Sequence, residues 1–182
     1  MKEPESRNIL EFYSNVLRLK RLRRSGWVRH GIKDPESVAS HMYGVAVLSL
    51  LLSEGEKVDV EKVLKMSLIH DLPEALTGDM TPDDKEYKRK RQIEEDALKR
   101  MVSCLPGNVA KEMVCLNAEL AAGRSPEARI VETADGLDMA LTALEYGKSG
   151  ADMGEFFDSG MKMRTEKGRR LLKYLKGIAN ID

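Results

Sequence analysis

Residues 67–79 read SLIHDLPEALTGD, an apolar run that closes on a histidine beside an aspartate. Val60, Val63, Leu64, Ser67 and Leu68 recur at three- and four-residue steps, so the stretch is the end of a helix. His70, Asp71, Glu74 and Asp79 put four ionisable groups into ten residues, far more than an aliphatic helix end needs. Pro73 cannot donate to the carbonyl of Ile69, which predicts a kink or restart beside His70 and Asp71. Glu74 follows His70 by four residues and Asp71 by three, sharing their face if the helix continues. Gly78 frees the backbone to turn and swing Asp79 back. The group therefore reads as an acid–base centre whose remaining partners lie on other helices.

Working outward, the periodicity stays helical. Ile9, Phe12, Tyr13, Val16 and Leu19 predict a first helix up to about Arg24, and residues 24–37, RSGWVRHGIKDPES, predict an ordered loop. A second helix is expected over about 40–53, with Val45, Leu48 and Leu52 on the His41 face. In TPDD, Thr81 reads as an N-cap and Pro82 as N1 of a long charged helix to about Cys104. A further helix runs to about Ala122. Ser125 and Pro126 repeat the start signal ahead of Ile130, Val131, Ala134, Leu137, Leu141 and Leu144, and a basic helix covers about 164–175. No alternating strand runs or repeats interrupt this, so the expectation is one all-helical domain over residues 1–182 with its core at about 9–146.

Bulk composition narrows the function classes. With 42% hydrophobic and 33% charged residues, the 182-residue chain has an ordinary globular balance. Thirty basic and thirty acidic side chains cancel, so no global field recruits nucleic acid or a membrane. No window approaches the ~20 apolar residues of a span, and MKEPESRNIL carries no apolar signal core. Cys104 and Cys115 form no CxxC and read as buried thiols, so a cytoplasmic protein is expected.

The chain has three histidines, and two of them, His41 and His70, fall inside helices on apolar faces. Asp135, in VETADGLDMA, is mid-helix among Val131, Ala134 and Leu137, where an unpaired carboxylate is costly. Two imidazoles and two carboxylates neutralise a divalent cation and leave positions for water and a substrate oxygen. The N/O set suits Mn²⁺, Co²⁺, Fe²⁺ or Zn²⁺ better than a site built for Ca²⁺ or Mg²⁺ alone.

His41, His70-Asp71 and Asp135 together resemble the H…HD…D signature of the HD-domain metal-dependent phosphohydrolases. SGWVRHGIKDPESVASHMYGVA, LIHDLPEALTGDMTP and ADGLDMALTALEY resemble, more closely, the YfbR-like and HDDC2-like 5′-deoxynucleotidases, over about residues 9–146. That resemblance implies an all-helical, commonly dimeric enzyme that hydrolyses deoxyribonucleoside 5′-monophosphates. It puts Co²⁺ or Mn²⁺ first as cofactor, with Fe²⁺, Zn²⁺ and Mg²⁺ as further candidates. By position it implies His41, His70, Asp71 and Asp135 as metal ligands, Asp79 positioning or activating the attacking water, and Glu74 as acid–base partner. His41 and Asp79 would also border the substrate. The family places an Arg and a Trp ahead of the first histidine, for phosphate and sugar. Trp27 matches, but Gly26 precedes it, so Arg24 becomes the nearest phosphate candidate.

RLKRLRR carries five basic residues over 18–24, a solvated face or a steering stripe for an anion. KEYKRKRQIEED reads as a wet helix with Lys90–Glu94 and Arg91–Glu95 pairs. Met139, Met161 and Met163 read as gap fillers. Two-metal phosphodiesterases and di-iron oxygenases of the HD type need more histidines, and only His30 is spare, which favours a single metal. The alternatives are an HD hydrolase of another nucleotide or phosphoester, and a non-catalytic nucleotide-binding HD domain. A nucleic-acid binder is weaker, since the basic run lacks interleaved aromatics.

Overall fold

The structure, a computed structural model, describes residues 3–148, 154, 156 and 163–179. Met161 lies outside the described residues. All regular structure among them is helical: α1 (Glu3–Leu19), α2 (Ser25–Arg29), α3 (Val38–Ser53), α4 (Val60–Ile69), α5 (Glu74–Thr77), α6 (Lys90–Val102), α7 (Gly107–Ala122), α8 (Pro126–Gly147) and α9 (Glu166–Ala179). A 3-10 turn, Tyr87–Arg89, leads into α6.

The helix starts follow local chemistry. Ser37 Oγ accepts from Ser40 N at 3.1 Å, starting α3 two residues earlier than the periodicity predicts. Asp59 caps α4 through Lys62 N, and Ser125 caps α8 through Ala128 N with Pro126 in the first turn, as expected.

Two expectations fail at helix ends. α1 stops at Leu19 rather than Arg24, because the chain turns extended and Arg23 forms an isolated antiparallel bridge with Ser37. Val38 N donates to Leu22 O at 2.8 Å and Arg24 N to Glu36 O at 3.1 Å, stitching both ends of the expected loop together. Within that loop sits α2, a five-residue helix too short to show a period. Thr81 does not cap a helix either. Asp84 accepts from Thr81 N at 2.7 Å and from its hydroxyl at 3.2 Å, closing a local turn, so α6 begins only at Lys90.

α3 packs on α8 and α4 around Trp27, Val45, Val63, Met66, Val131 and Leu137. A second cluster, Leu19, Val38, Met42, Ile69, Leu72, Leu98 and Met101, joins α1, α3, α4 and α6. Burying each such aliphatic side chain contributes about 1.5–3 kcal/mol. Both clusters draw on α3, at Val45 and at Met42, and His41 is fully buried beside them. Met163 is partly buried against the first cluster. Cys115 is exposed on α7 rather than buried, while Cys104 is half-buried. No helix among the described residues is long and apolar enough to cross a membrane.

Candidate active site

Three helices deliver four side chains to one point. His41 stands in the first turn of α3, His70 and Asp71 follow the last residue of α4, and Asp135 projects from mid-α8. His41 Nε2 is 3.1 Å from Asp135 Oδ1, 3.6 Å from Asp71 Oδ2 and 3.4 Å from His70 Nε2. His70 Nε2 is 3.4 Å from Asp71 Oδ2. His41, His70 and Asp71 offer ligand atoms within 4.8 Å of one another, and Asp135 reaches the same group through His41.

The far nitrogens of both rings explain why this set fits a cation. His70 Nδ1 lies 2.7 Å from the carbonyl oxygen of Ser67, which only accepts, so Nδ1 carries the hydrogen. His41 Nδ1 lies 2.7 Å from Asp138 Oδ2 and donates in the same way. In both neutral rings the Nε2 lone pairs are then turned toward each other and toward two carboxylates, an arrangement that needs positive charge between them. Without a cation a proton serves. Burial and Arg24 oppose a charged His41, but hydrogen bonds from His41 to Asp135 and Asp138 push its pKa to about 10. Burial would raise Asp71, yet His70, Arg24 and His41 together hold it below the usual carboxylate range. Burial likewise opposes ionised Asp135, and His41 and His70 pull it far below that range.

Asp138 reaches His41 only because position 44 is glycine: a Cβ there would lie 2.1 Å from Asp138 Oδ1. Glu36 completes a second cluster with His41 and Asp138. Burial first pushes the Glu36 carboxyl up, while its bond from Trp27 pulls it back. Asp138→Asn is expected to turn an acceptor into an amide, loosen the His41 tautomer and weaken metal binding by about 10–100-fold. Isothermal titration with Co²⁺ would measure this.

Around these four side chains stand the other expected residues. The Arg24 guanidinium is 3.2 Å from Asp71 Oδ2 and 3.5 Å from Asp79 Oδ1, well buried and held protonated by those carboxylates despite the cost of burial. Gly78, at φ 78°, makes the turn that returns Asp79, whose Oδ2 accepts from Ser25 N at 2.6 Å. Both Asp79 oxygens thus face donors on the 24–25 segment. Glu74 is 1% exposed: Oε1 lies 3.2 Å from Lys90 Nζ, and Oε2 has no hydrogen-bond partner. A cleft of about 260 Å³ opens between α6, α7 and α8, bounded by His70, Asp71, Asp135 and Lys90.

Trp27 is not where the sequence reading puts it. At 2% exposure it sits in the core, 5.3 Å from the Tyr146 ring and 4.3 Å from the Phe156 ring, with its indole N–H on Glu36 at 3.0 Å. With no open face for a sugar, it bears on the site only through Glu36. The wet-helix reading of Lys90–Glu94 also needs correction. The pair forms at 3.4 Å, but Lys90 faces the cleft and Glu74. Arg91–Glu95 forms as expected at 3.2 Å. The basic run divides: Arg23 pairs with exposed Asp34, and only Arg24 enters the site. Asp138, Glu36 and Lys90 were missed as site residues. Only Asp138 had a signal, three residues after Asp135 on the same helix face.

Residues 16–173 match the family model described as HD domain. The chain belongs to the HD domain family. This HD domain is 39% identical over 166 residues to the 5′-deoxynucleotidase HDDC2 of Dictyostelium discoideum, covering 84% of this chain and 87% of that one. It is 36% identical to the 5′-deoxynucleotidase HDDC2 of Homo sapiens, covering 78% and 69%. Among solved structures it is similar to the PH0347 protein of Pyrococcus horikoshii OT3, with a TM-score of 0.80, 35% identity, and coverage of 95% and 99%. The all-helical HD fold and the family expected from His41, His70-Asp71 and Asp135 are therefore borne out.

Proposed function

We propose that this HD domain is a metal-dependent 5′-deoxynucleotidase that releases phosphate from deoxyribonucleoside 5′-monophosphates. The observation that carries the reading is the convergence of His41, His70, Asp71 and Asp135, the last three of them lining a cleft, with Arg24 beside them and a buried, partnerless Glu74 oxygen. Relatives named 5′-deoxynucleotidase support the choice of substrate.

Phosphate monoester hydrolysis needs neutralised phosphoryl oxygens and an oriented water. His41, His70, Asp71 and Asp135 would hold a divalent ion, Co²⁺ or Mn²⁺ by preference, which would supply Lewis acidity and lower the pKa of a nearby water. Arg24 orients the phosphoryl group; Asp79, expected to position the attacking water, instead has its oxygens on Arg24 and the Ser25 amide and holds that segment in place. Water attacks phosphorus while Glu74 Oε2 accepts its proton. The bond to the 5′-oxygen breaks, and that oxygen leaves as the alcohol by taking a proton from solvent, while Glu74 returns its own proton to water. The proposed dimer has an apolar face ready for a second copy on α3, where Tyr43, Val47, Leu50 and Leu51 are exposed.

The test is phosphate release from deoxy- and ribonucleoside 5′-monophosphates, metal-free and with Co²⁺, Mn²⁺, Mg²⁺ or Zn²⁺. Metal-dependent release favouring the deoxy series is expected. No release from protein shown to bind the metal would move the reading to another phosphoester or to a binding-only domain.

A further inference from the structure

Lys90 opens α6, where a positive charge is poorly placed: the first turn carries no acid, and the helix N-terminus is itself partly positive. A residue that breaks a local rule at the edge of a cleft calls for a compensating tertiary interaction. That interaction is explicit. Lys90 Nζ lies 3.2 Å from Glu74 Oε1, 3.3 Å from the Met80 carbonyl oxygen and 3.4 Å from Glu94 Oε1, joining three segments of chain. The Glu74 side chain it meets is fully buried, and Lys90 borders the same cleft as His70, Asp71 and Asp135. One Glu74 oxygen is tied and the other has no partner.

We propose that Lys90 is a positioning residue: its ammonium anchors Glu74 through Oε1 and leaves Oε2 as the atom that exchanges a proton with water. This rests on the phosphohydrolase reading and assigns how that site aims its base. A flexible buried carboxyl without that anchor would be free to turn away from the site. Lys90 does not serve here as a phosphate ligand, because its donors are directed at Glu74 and Met80.

Lys90→Met keeps the stem and removes the charge. On whichever phosphomonoester the wild type turns over, kcat is expected to fall about 10- to 100-fold, as for a misplaced catalytic group. KM and Co²⁺ uptake, followed by visible absorption, should hold, and Lys90→Arg should recover much of kcat. A readout without turnover is a melting cycle on metal-free protein: Lys90→Met should lower Tm when Glu74 is present and much less in a Glu74→Leu background, which removes the acceptor whatever its protonation. Wild-type kcat in Lys90→Met, a rise in KM alone, or an equal Tm loss in both backgrounds would overturn the assignment. If the wild type released no phosphate from any monoester, the functional reading would fail, while the melting cycle would still decide the Lys90–Glu74 pairing.

Discussion

Asp71→Asn is expected to lose metal and turnover together, with kcat/KM falling by about 10³-fold or more, roughly 4 kcal/mol of barrier. The substitution barely changes shape but removes the charge around which the site is organised. Asp71 Oδ2 faces both His41 and His70, and it also holds Arg24 at 3.2 Å. One amide therefore weakens the cation site and releases the guanidinium proposed to orient phosphate. Metal content by mass spectrometry, turnover, and far-ultraviolet circular dichroism to verify helix content would be measured on the same preparation. An Asp71→Asn variant that retained wild-type metal content would remove Asp71 from the ligand set.

Glu74→Gln separates metal binding from proton transfer. Metal content should be retained, while turnover falls by about 10²–10⁴-fold, the usual contribution of a positioned acid–base group. The same variant carries a stability signature in the metal-free protein. Burial first, and the charge of Asp71 second, push the Glu74 carboxyl from its usual 4.5 to about 9, despite Lys90. Between those values the unfolded chain has lost a proton that the fold keeps. The wild-type contribution is therefore full below about pH 4.5 and declines as pH rises through about 9. The amide of the Glu74→Gln variant cannot ionise, so the variant's melting temperature should fall less steeply over that window. Parallel profiles for the two proteins would mean that Glu74 does not hold its proton in the fold. A cation held beside Asp71 would draw Glu74 back toward ionisation, as a base requires.

Much of the site was legible because its signals are local. His70, Asp71, Pro73, Glu74, Gly78 and Asp79 lie in one stretch, and helix spacing with one proline and one glycine is enough to gather them. His41 and Asp135 were legible through cost: a polar group on an apolar helical face needs a partner. TPDD misled because Asp84 captures Thr81 in a turn, a competition between two short-range motifs that the sequence leaves open. Trp27 misled because the surrounding loop looked open, whereas Tyr146 and Phe156 come from distant sequence to enclose it.

By itself the sequence determined the helical class, the Ser125–Pro126 start of α8, and the gathering of His70 and Asp71 beside a break in the helix. These depend on contacts within about four residues, which composition and spacing control directly. Tertiary structure alone decided that Asp138 orients His41 across 97 residues, that Arg24 meets Asp71 across 47, and that Lys90 turns inward to Glu74 across 16. Spacing says which residues share a face, but only packing says which faces meet. A charged side chain takes its role from the partner it meets there: Lys90 reads as one end of a surface pair until α5 lies against α6 and places a buried carboxylate beneath it.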